Sequence, residues 1–65
     1  MMHQLRGVQQ NLATRGIVCR LDGSYQDGRQ RIAVYPKGKR YLARHTDDVD
    51  HAYIIGLKGF DDVSH

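Results

Sequence analysis

The chain begins with apolar residues at helical spacing. Leu5, Val8 and Leu12 recur at i, i+3 and i+7, which places them on one face of an α-helix. Gly16 stands where such a helix would end. The pattern predicts an amphipathic helix over roughly residues 3–15 that covers a sheet. The alternative is a recognition helix that reaches DNA with three polar side chains. These side chains are Arg6, Gln10 and Arg15.

A β-rich run follows this helix. Residues 17–21 (IVCRL) predict a first strand with Ile17, Cys19 and Leu21 on its inner face, because side chains alternate across a strand. The polar segment 22–29 contains the turn signals Asp-Gly at 22–23 and at 27–28. It forms either one long loop or two turns that flank a short extension of the ribbon.

The strongest pattern lies between residues 31 and 45. Two short runs, 32–35 and 40–43, flank Pro36-Lys37-Gly38. Proline presets φ for a turn and glycine tolerates the left-handed conformation, so the segment predicts a tight β-hairpin. If Tyr35 pairs with Lys39, the cross-strand partners follow. They are Val34 with Arg40, Ala33 with Tyr41, and Ile32 with Leu42.

This register gives the hairpin two different faces. One face is aliphatic, has arginines at its ends and is expected to look into the core. It carries Ile32, Val34, Leu42, Arg40 and Arg44. The other face bears the tyrosines and is expected to look outward or meet a partner. It carries Ala33, Tyr35, Tyr41, Ala43 and His45, with Lys39 at the tip. A slip of one residue would exchange the two faces.

The segment after the hairpin has two interpretations. As a helix, it has Thr46 as N-cap, aspartates in the first turn, and Gly59 as its stop. Its buried stripe would be Val49, Ala52, Tyr53, Gly56 and Leu57. As a strand, residues 52–57 alternate between two faces. The capping residues favour the helix, and Phe60 is expected to fold back onto the core.

These elements predict one small α+β domain over residues 1–65. It comprises an N-terminal helix, a three-stranded antiparallel sheet built on the 31–45 hairpin, and a C-terminal helix, with a fourth strand as the alternative. A chain of 65 residues buries only a modest core. Cys19 is the single cysteine, so no internal disulfide can stabilise the fold, and we expect it to be a buried strand residue. A homodimer would be a further source of stability.

Hydropathy indicates a soluble protein. No apolar run approaches the ~20 residues that span a membrane. The N-terminal residues MMHQLRGVQQNL lack the apolar core of a signal peptide. We therefore expect a cytoplasmic protein with no membrane partner.

Charge is distributed unevenly along the chain. Up to His45, the chain has nine lysines and arginines and two aspartates, a net charge of +7. From Thr46 onward, it has one lysine and five aspartates, a net charge of −4. Such asymmetry is typical of proteins with an electrostatic partner. Alternatively, the acidic segment neutralises part of the basic surface internally.

One cluster carries potential metal ligands: His45, Asp47, Asp48, Asp50 and His51. On a helix, Asp47 and His51 would share a face, but the cluster matches no standard ligand spacing. An acidic helix start with solvated histidines is the favoured interpretation, and we predict neither a metal site nor a cofactor. The chain has no glutamate, no serine-elbow motif and no recognisable Cys-His pair, so we predict no catalytic residues and no enzymatic activity.

The basic hairpin is the candidate functional surface. Lysines and arginines interleaved with tyrosines can supply phosphate contacts and base stacking. The candidate binding residues are Arg31, Tyr35, Lys37, Lys39, Arg40, Tyr41 and Arg44. The stretch GKRYLARHTDDVDHAY has a rhythm of basic strand, turn and acidic helix start. In architecture, three strands followed by a helix, it resembles the sheet-type DNA-binding arms of AP2-like domains. Most residues diagnostic of that family are absent, and a helix precedes the strands.

Two functions follow as hypotheses. The first is a small nucleic-acid-binding regulatory protein, with DNA favoured over RNA, of the kind found among accessory proteins of mobile elements. The second is a protein–protein interaction module, an inhibitor or adaptor that docks its basic hairpin or an edge strand on a partner.

Overall fold

The computed structural model describes residues 3–61, which form two helices and one three-stranded antiparallel sheet. The elements in chain order are α1 (Leu5–Ala13), β1 (Ile17–Ser24), β2 (Gln30–Pro36), a 3-10 helix (Arg40–Leu42), β3 (Arg44–Thr46) and α2 (Val49–Lys58). The sheet order is β1-β2-β3. The predicted α+β architecture is confirmed, and the C-terminal segment is a helix, not a fourth strand.

Helix α1 begins later than the sequence pattern suggested, because Gln4 at the N-cap makes no side-chain capping hydrogen bond. Its predicted apolar stripe is confirmed: Val8 and Leu12 are buried, and α1 packs against β1. The helix ends in a turn that leads to Gly16, whose φ of 74° is left-handed. The polar residues considered for DNA recognition are exposed on its other side. They are Arg6, Gln10 and Arg15.

Strands β1 and β2 extend further than the apolar run alone suggested. The register shifts between Leu21 and Ser24, so the first Asp-Gly pair lies in a bulge within β1. The second lies in the connecting turn, where the Gly28 N–H donates to the Tyr25 carbonyl at 3.0 Å. The ribbon is therefore extended, as the second alternative proposed. Leu21 is 50 % exposed, so its predicted core position is wrong. It lies on an edge strand, beside the bulge.

The predicted register of the second hairpin is wrong by four residues. The actual partners are Ile32 with Thr46, Ala33 with His45, and Val34 with Arg44. A turn does form here, since the Lys39 N–H donates to the Pro36 carbonyl at 2.9 Å, but its central residues are Lys37 and Gly38, and Pro36 is not at the predicted central position. The chain then enters a 3-10 helix that lets Leu42 pack against the core, so a second strand cannot start at residue 40.

Because the register differs from the predicted one by an even number of residues, the same side chains of β2 lie on each face of the sheet as predicted. Ile32 and Val34 are fully buried beneath the helices, as predicted. The expectation of an outward-facing Tyr35 is wrong, because only 8 % of this residue is exposed. Tyr35 lies on the central strand opposite Val18, and the 3-10 helix packs against β2. Tyr41 belongs to the 3-10 helix and does not share a strand face with Tyr35.

Asp48, not Thr46, caps helix α2. The Asp48 carboxylate accepts a hydrogen bond from the Asp50 N–H at 3.0 Å. Thr46 is instead the buried last residue of β3, and its hydroxyl oxygen accepts from the Asp48 N–H at 3.2 Å. The helix ends at Gly59 as predicted, but Ile55 takes the buried position that the pattern gave to Leu57.

The core lies on one side of the sheet. Helix α1 covers β1, α2 covers β2 and β3, and Phe60 folds back onto the core. The two helices are in close contact at Gly56, where an added Cβ would lie 2.5 Å from both methyl groups of Leu12. Cys19 is buried, and this burial raises the pKa of its thiol, which fits a structural residue.

Candidate nucleic-acid interface

The connection between β2 and β3 is an exposed cationic segment, residues 37–43, which we call the basic loop. It carries Lys37, Lys39, Arg40 and Tyr41 within five positions. Backbone hydrogen bonds fix its shape: the Leu42 N–H donates to the Lys39 carbonyl at 2.9 Å, and the Ala43 N–H donates to the Arg40 carbonyl at 3.0 Å. Gly38 supplies the left-handed residue of the turn, with φ 82°. The loop is therefore an ordered projection.

The cations of this loop are available to a partner. Within residues 3–61, neither Lys37, Lys39 nor Arg40 has a carboxylate within ion-pair distance. Tyr41 is 81 % exposed, so its ring is accessible to a partner. A phenol ring flanked by such cations can stack on a base while its neighbours contact phosphates.

The other three candidate residues lie elsewhere. Arg31 is on the face of the sheet opposite the helices, where its guanidinium lies 3.8 Å from the Asp22 carboxylate and 3.4 Å from the His45 ring. Tyr35 is buried on the same face. The structure thus brings together four of the seven predicted residues and separates Arg31, Tyr35 and Arg44 from them.

Arg44 is directed to the end of α2. Its Nη1 lies 2.8 Å from the position that a Cβ on Gly59 would occupy. The carboxyl end of a helix carries partial negative charge and unsatisfied carbonyls, so a guanidinium there stabilises the helix. This placement gives Arg44 a structural role.

Arg20 is an exposed cation that the sequence pattern did not single out. It pairs with Ala33 in the ladder and projects from the sheet face opposite the helices, where it is solvent-exposed. The strict alternation of β1 could have identified it, since Ile17 and Cys19 face the core. It adds positive charge to the face that also bears Arg31.

Asp47 and Asp50 of the acidic segment pair with residues outside the basic loop. Asp47 pairs with Arg29 at 2.5 Å, and Arg29 also pairs with Asp27 at 2.6 Å and lies over the Tyr25 ring at 5.0 Å. Asp50 pairs with His3 at 2.8 Å. Internal neutralisation therefore occurs at Arg29, Arg31 and the start of α2, and it leaves the loop cations without a counter-charge in the part of the chain that the structure describes.

The five potential metal ligands are dispersed. His45 contacts Asp22 at 3.3 Å and His51 contacts the Thr46 hydroxyl at 3.1 Å, while Asp47, Asp48 and Asp50 are used by Arg29, the helix cap and His3. Among the residues described, no group of three or more His, Cys, Asp or Glu side chains could hold a metal ion. The favoured interpretation, an acidic helix start, matches these contacts.

The contact between His3 and Asp50 makes one stability contribution dependent on pH. The His3 backbone N–H first, and its ring second, lower the pKa of Asp50. A carboxyl whose pKa is lower in the folded state stabilises the fold above its unfolded pKa of about 3.9, and this contribution is lost as pH falls through the folded pKa. We expect Asp50→Asn to lower Tm at neutral pH, and the difference from wild type to vanish in acid.

Thermal unfolding followed by circular dichroism across the acid range would measure this difference. Asp48→Asn is the matched control, because asparagine caps a helix about as well as aspartate. If the difference in Tm between Asp50→Asn and wild type stays constant down to the most acidic pH, the stabilising role of the ionised Asp50 carboxylate is contradicted.

Comparison of the chain with protein-family models, with curated proteins and with solved structures finds no match. Over residues 3–61, no helix is both long and apolar enough to cross a membrane.

Proposed function

We propose that this protein is a small, non-enzymatic regulatory protein that binds nucleic acid through the basic loop. The observation that carries the proposal is the combination, within one ordered loop, of three cations without a carboxylate partner among residues 3–61 and the highly exposed Tyr41. The cations would contact phosphates and release counterions, and the tyrosine would stack on a base or pack against a sugar.

DNA is the favoured substrate because of the shape of this projection. The major groove of B-DNA is wide enough to admit an element of protein structure, whereas the major groove of A-form RNA is deep and narrow. A loop held by its own backbone hydrogen bonds loses little conformational entropy when it binds. Arg20, which is exposed on the sheet face opposite the helices and has no carboxylate within ion-pair distance among residues 3–61, would add positive charge near the duplex.

We expect Lys39→Ala/Arg40→Ala to weaken binding by about tenfold or more at low salt, since each phosphate that these cations no longer neutralise keeps its counterions. The slope of log K against log salt concentration should become shallower by roughly 0.9 for each such phosphate of B-DNA. Fluorescence anisotropy with a labelled short duplex, a single strand and an RNA would measure both quantities.

The control is Arg6→Ala/Lys58→Ala, which removes the same charge from exposed positions on the helices. It should retain most of the affinity if the loop is the contact surface. The proposal fails if the wild-type protein forms no complex at low salt with DNA or RNA, or if both double variants lose affinity equally.

An acidic protein surface is the second candidate for the same loop. Tyrosine and arginine are enriched among residues that dominate protein–protein binding energy, and both are exposed here at positions 40 and 41. Affinity purification from the native host with and without nuclease separates the two functions. A stoichiometric protein partner that survives nuclease treatment would favour the protein-binding module.

A further inference from the structure

Strand β1 has an edge to which no other strand is paired among residues 3–61, because the sheet order is β1-β2-β3. The Lys37 N–H donates to the Gly16 carbonyl at 2.8 Å, which makes Ile17 and Pro36 a non-hydrogen-bonded pair. The pattern alternates along an antiparallel ladder, so Cys19 and Leu21 are also in such pairs. The backbone N–H and C=O groups of these residues therefore point away from β2, toward the open edge.

A side-chain contact agrees with this direction. The Gln9 amide Nε2 donates to the Cys19 carbonyl oxygen at 2.8 Å, as expected for an oxygen that is not bonded to β2. Among residues 3–61, no other hydrogen bond reaches the backbone groups of Cys19 or Leu21 that point toward the open edge. The edge therefore presents backbone groups that an added strand could pair with.

A groove runs along the same edge. It has a volume of about 310 Å³ and lies between α1 and the first half of β1. Its walls are Gln9 and Ala13 of α1, residues 16–19, and Lys37. This volume is at the lower end of the ~300–1,000 Å³ typical of ligand sites. The walls are mostly apolar, and Lys37, which has no carboxylate within ion-pair distance among the described residues, supplies the positive charge.

We propose that an extended segment of a partner protein binds in this groove as a fourth strand on the edge of β1. Its backbone pairs with Cys19 and Leu21, and its alternate apolar side chains pack against Ala13 and Ile17. Charge complementarity determines the rest of its chemistry: an acidic side chain or a terminal carboxylate lies beside Lys37. Strand addition of this kind takes affinity from main-chain hydrogen bonds and specificity from side-chain pockets.

A bare segment fits this edge better than a second copy of the chain does. In a two-fold pairing of β1 with β1, each copy would bring its own Gln9 amide, already bonded to Cys19, into the interface. Both copies of α1 would also crowd the same groove, since Gln9 and Ala13 form one of its walls. A partner segment without a flanking helix brings neither obstacle.

Selection of a random-peptide display library on the immobilised full chain tests the proposal. We expect the selected peptides to share a run of alternating apolar residues with an acidic residue or the terminal carboxylate at one end. Against a synthetic copy of one such peptide, Lys37→Glu should weaken binding by about tenfold, because an attractive charge becomes repulsive. Lys39→Glu, the same change two residues away but outside the groove, should leave the affinity within about twofold. Failure to select any peptide overturns the proposal, and so does an equal loss in both variants.

Amide hydrogen exchange locates the binding site independently. In the unbound protein, the Val18 and Arg20 amides should be protected by bonds to β2, while the Cys19 and Leu21 amides exchange faster. Addition of the selected peptide should protect Cys19 and Leu21. If the peptide protects other amides but not those of Cys19 and Leu21, the proposal is overturned. The proposal is also overturned if, without peptide, protection of the Cys19 and Leu21 amides rises with protein concentration. That result would indicate self-association.

This site is distinguishable from the proposed nucleic-acid surface. Lys39→Ala/Arg40→Ala leaves the groove walls intact and should leave peptide binding unchanged, although it weakens DNA binding. Leu21→Pro removes one edge-facing N–H without breaking a ladder bond, and should weaken peptide binding alone. If Leu21→Pro does not fold, Lys37→Glu and Lys39→Glu still decide the question.

Discussion

Replacement of Leu12 with Ala is expected to leave a large fraction of the chain unfolded at room temperature. Leu12 is 0 % exposed and lies between the sheet and α2. Truncation of a fully buried leucine costs about 2–5 kcal/mol, the lost transfer free energy plus the cavity that remains. A core of this size rarely supplies more than about 3–5 kcal/mol of stability. The two quantities are comparable, so little stability should remain.

Urea unfolding followed by circular dichroism measures this loss. Leu21→Ala is the matched control, since the chemical change is the same at a side chain that is 50 % exposed. We expect it to cost less than about 1 kcal/mol, because little apolar surface is uncovered. Equal losses at the two positions would contradict the assignment of Leu12 to the core and of Leu21 to the exposed end of the edge strand.

Replacement of Gly56 with Val should destabilise the fold by about 1–3 kcal/mol, through overpacking. A Cβ at this position would lie 2.5 Å from both Leu12 methyl groups, and Leu12 is fully buried in the core, so a shift of its methyl groups would disturb other core contacts. The helix propensity of valine exceeds that of glycine by only a few tenths of a kcal/mol, so the propensity gain cannot offset the clash.

Gly7→Val in α1 is the control for this prediction. It makes the same change at a helical glycine whose Cβ would meet no heavy atom within 4 Å. It should be neutral or slightly stabilising. The double variant Leu12→Ala/Gly56→Val should lose less stability than the sum of the single variants, since the truncated side chain makes room for the added one. Strict additivity would show that Gly56 does not pack against Leu12.

Periodic apolar residues account for what the sequence predicted well. The stripe of Leu5, Val8 and Leu12 located α1, and the alternation of Ile32 and Val34 identified the buried face of β2. Such patterns reflect local geometry, in which residues three and four apart, or two apart, share a face. They remain valid even when the partner of an element is unknown.

Register and capping were harder to predict because they depend on nonlocal competition. The run 40–43 is compatible with a strand, but the chain forms a 3-10 helix there, from which Leu42 packs against the core. Likewise, Thr46 and Asp48 are both good caps, and pairing of Thr46 with Ile32 in the sheet decides for Asp48. The candidate site followed the same rule. The loop residues were placed together by sequence proximity, whereas Arg44 was drawn away to the end of α2.

The Gln9 amide has a consequence for any strand that approaches the open edge. It already donates a hydrogen bond to the Cys19 carbonyl oxygen, which an added strand would otherwise receive unpaired. Association at that residue is then an exchange of one hydrogen bond for another, with no net gain in their number. Selectivity among competing segments then depends on the fit of their side chains and on their contact with Lys37. An open edge of this kind does not favour pairing with every strand that it meets in a crowded solution.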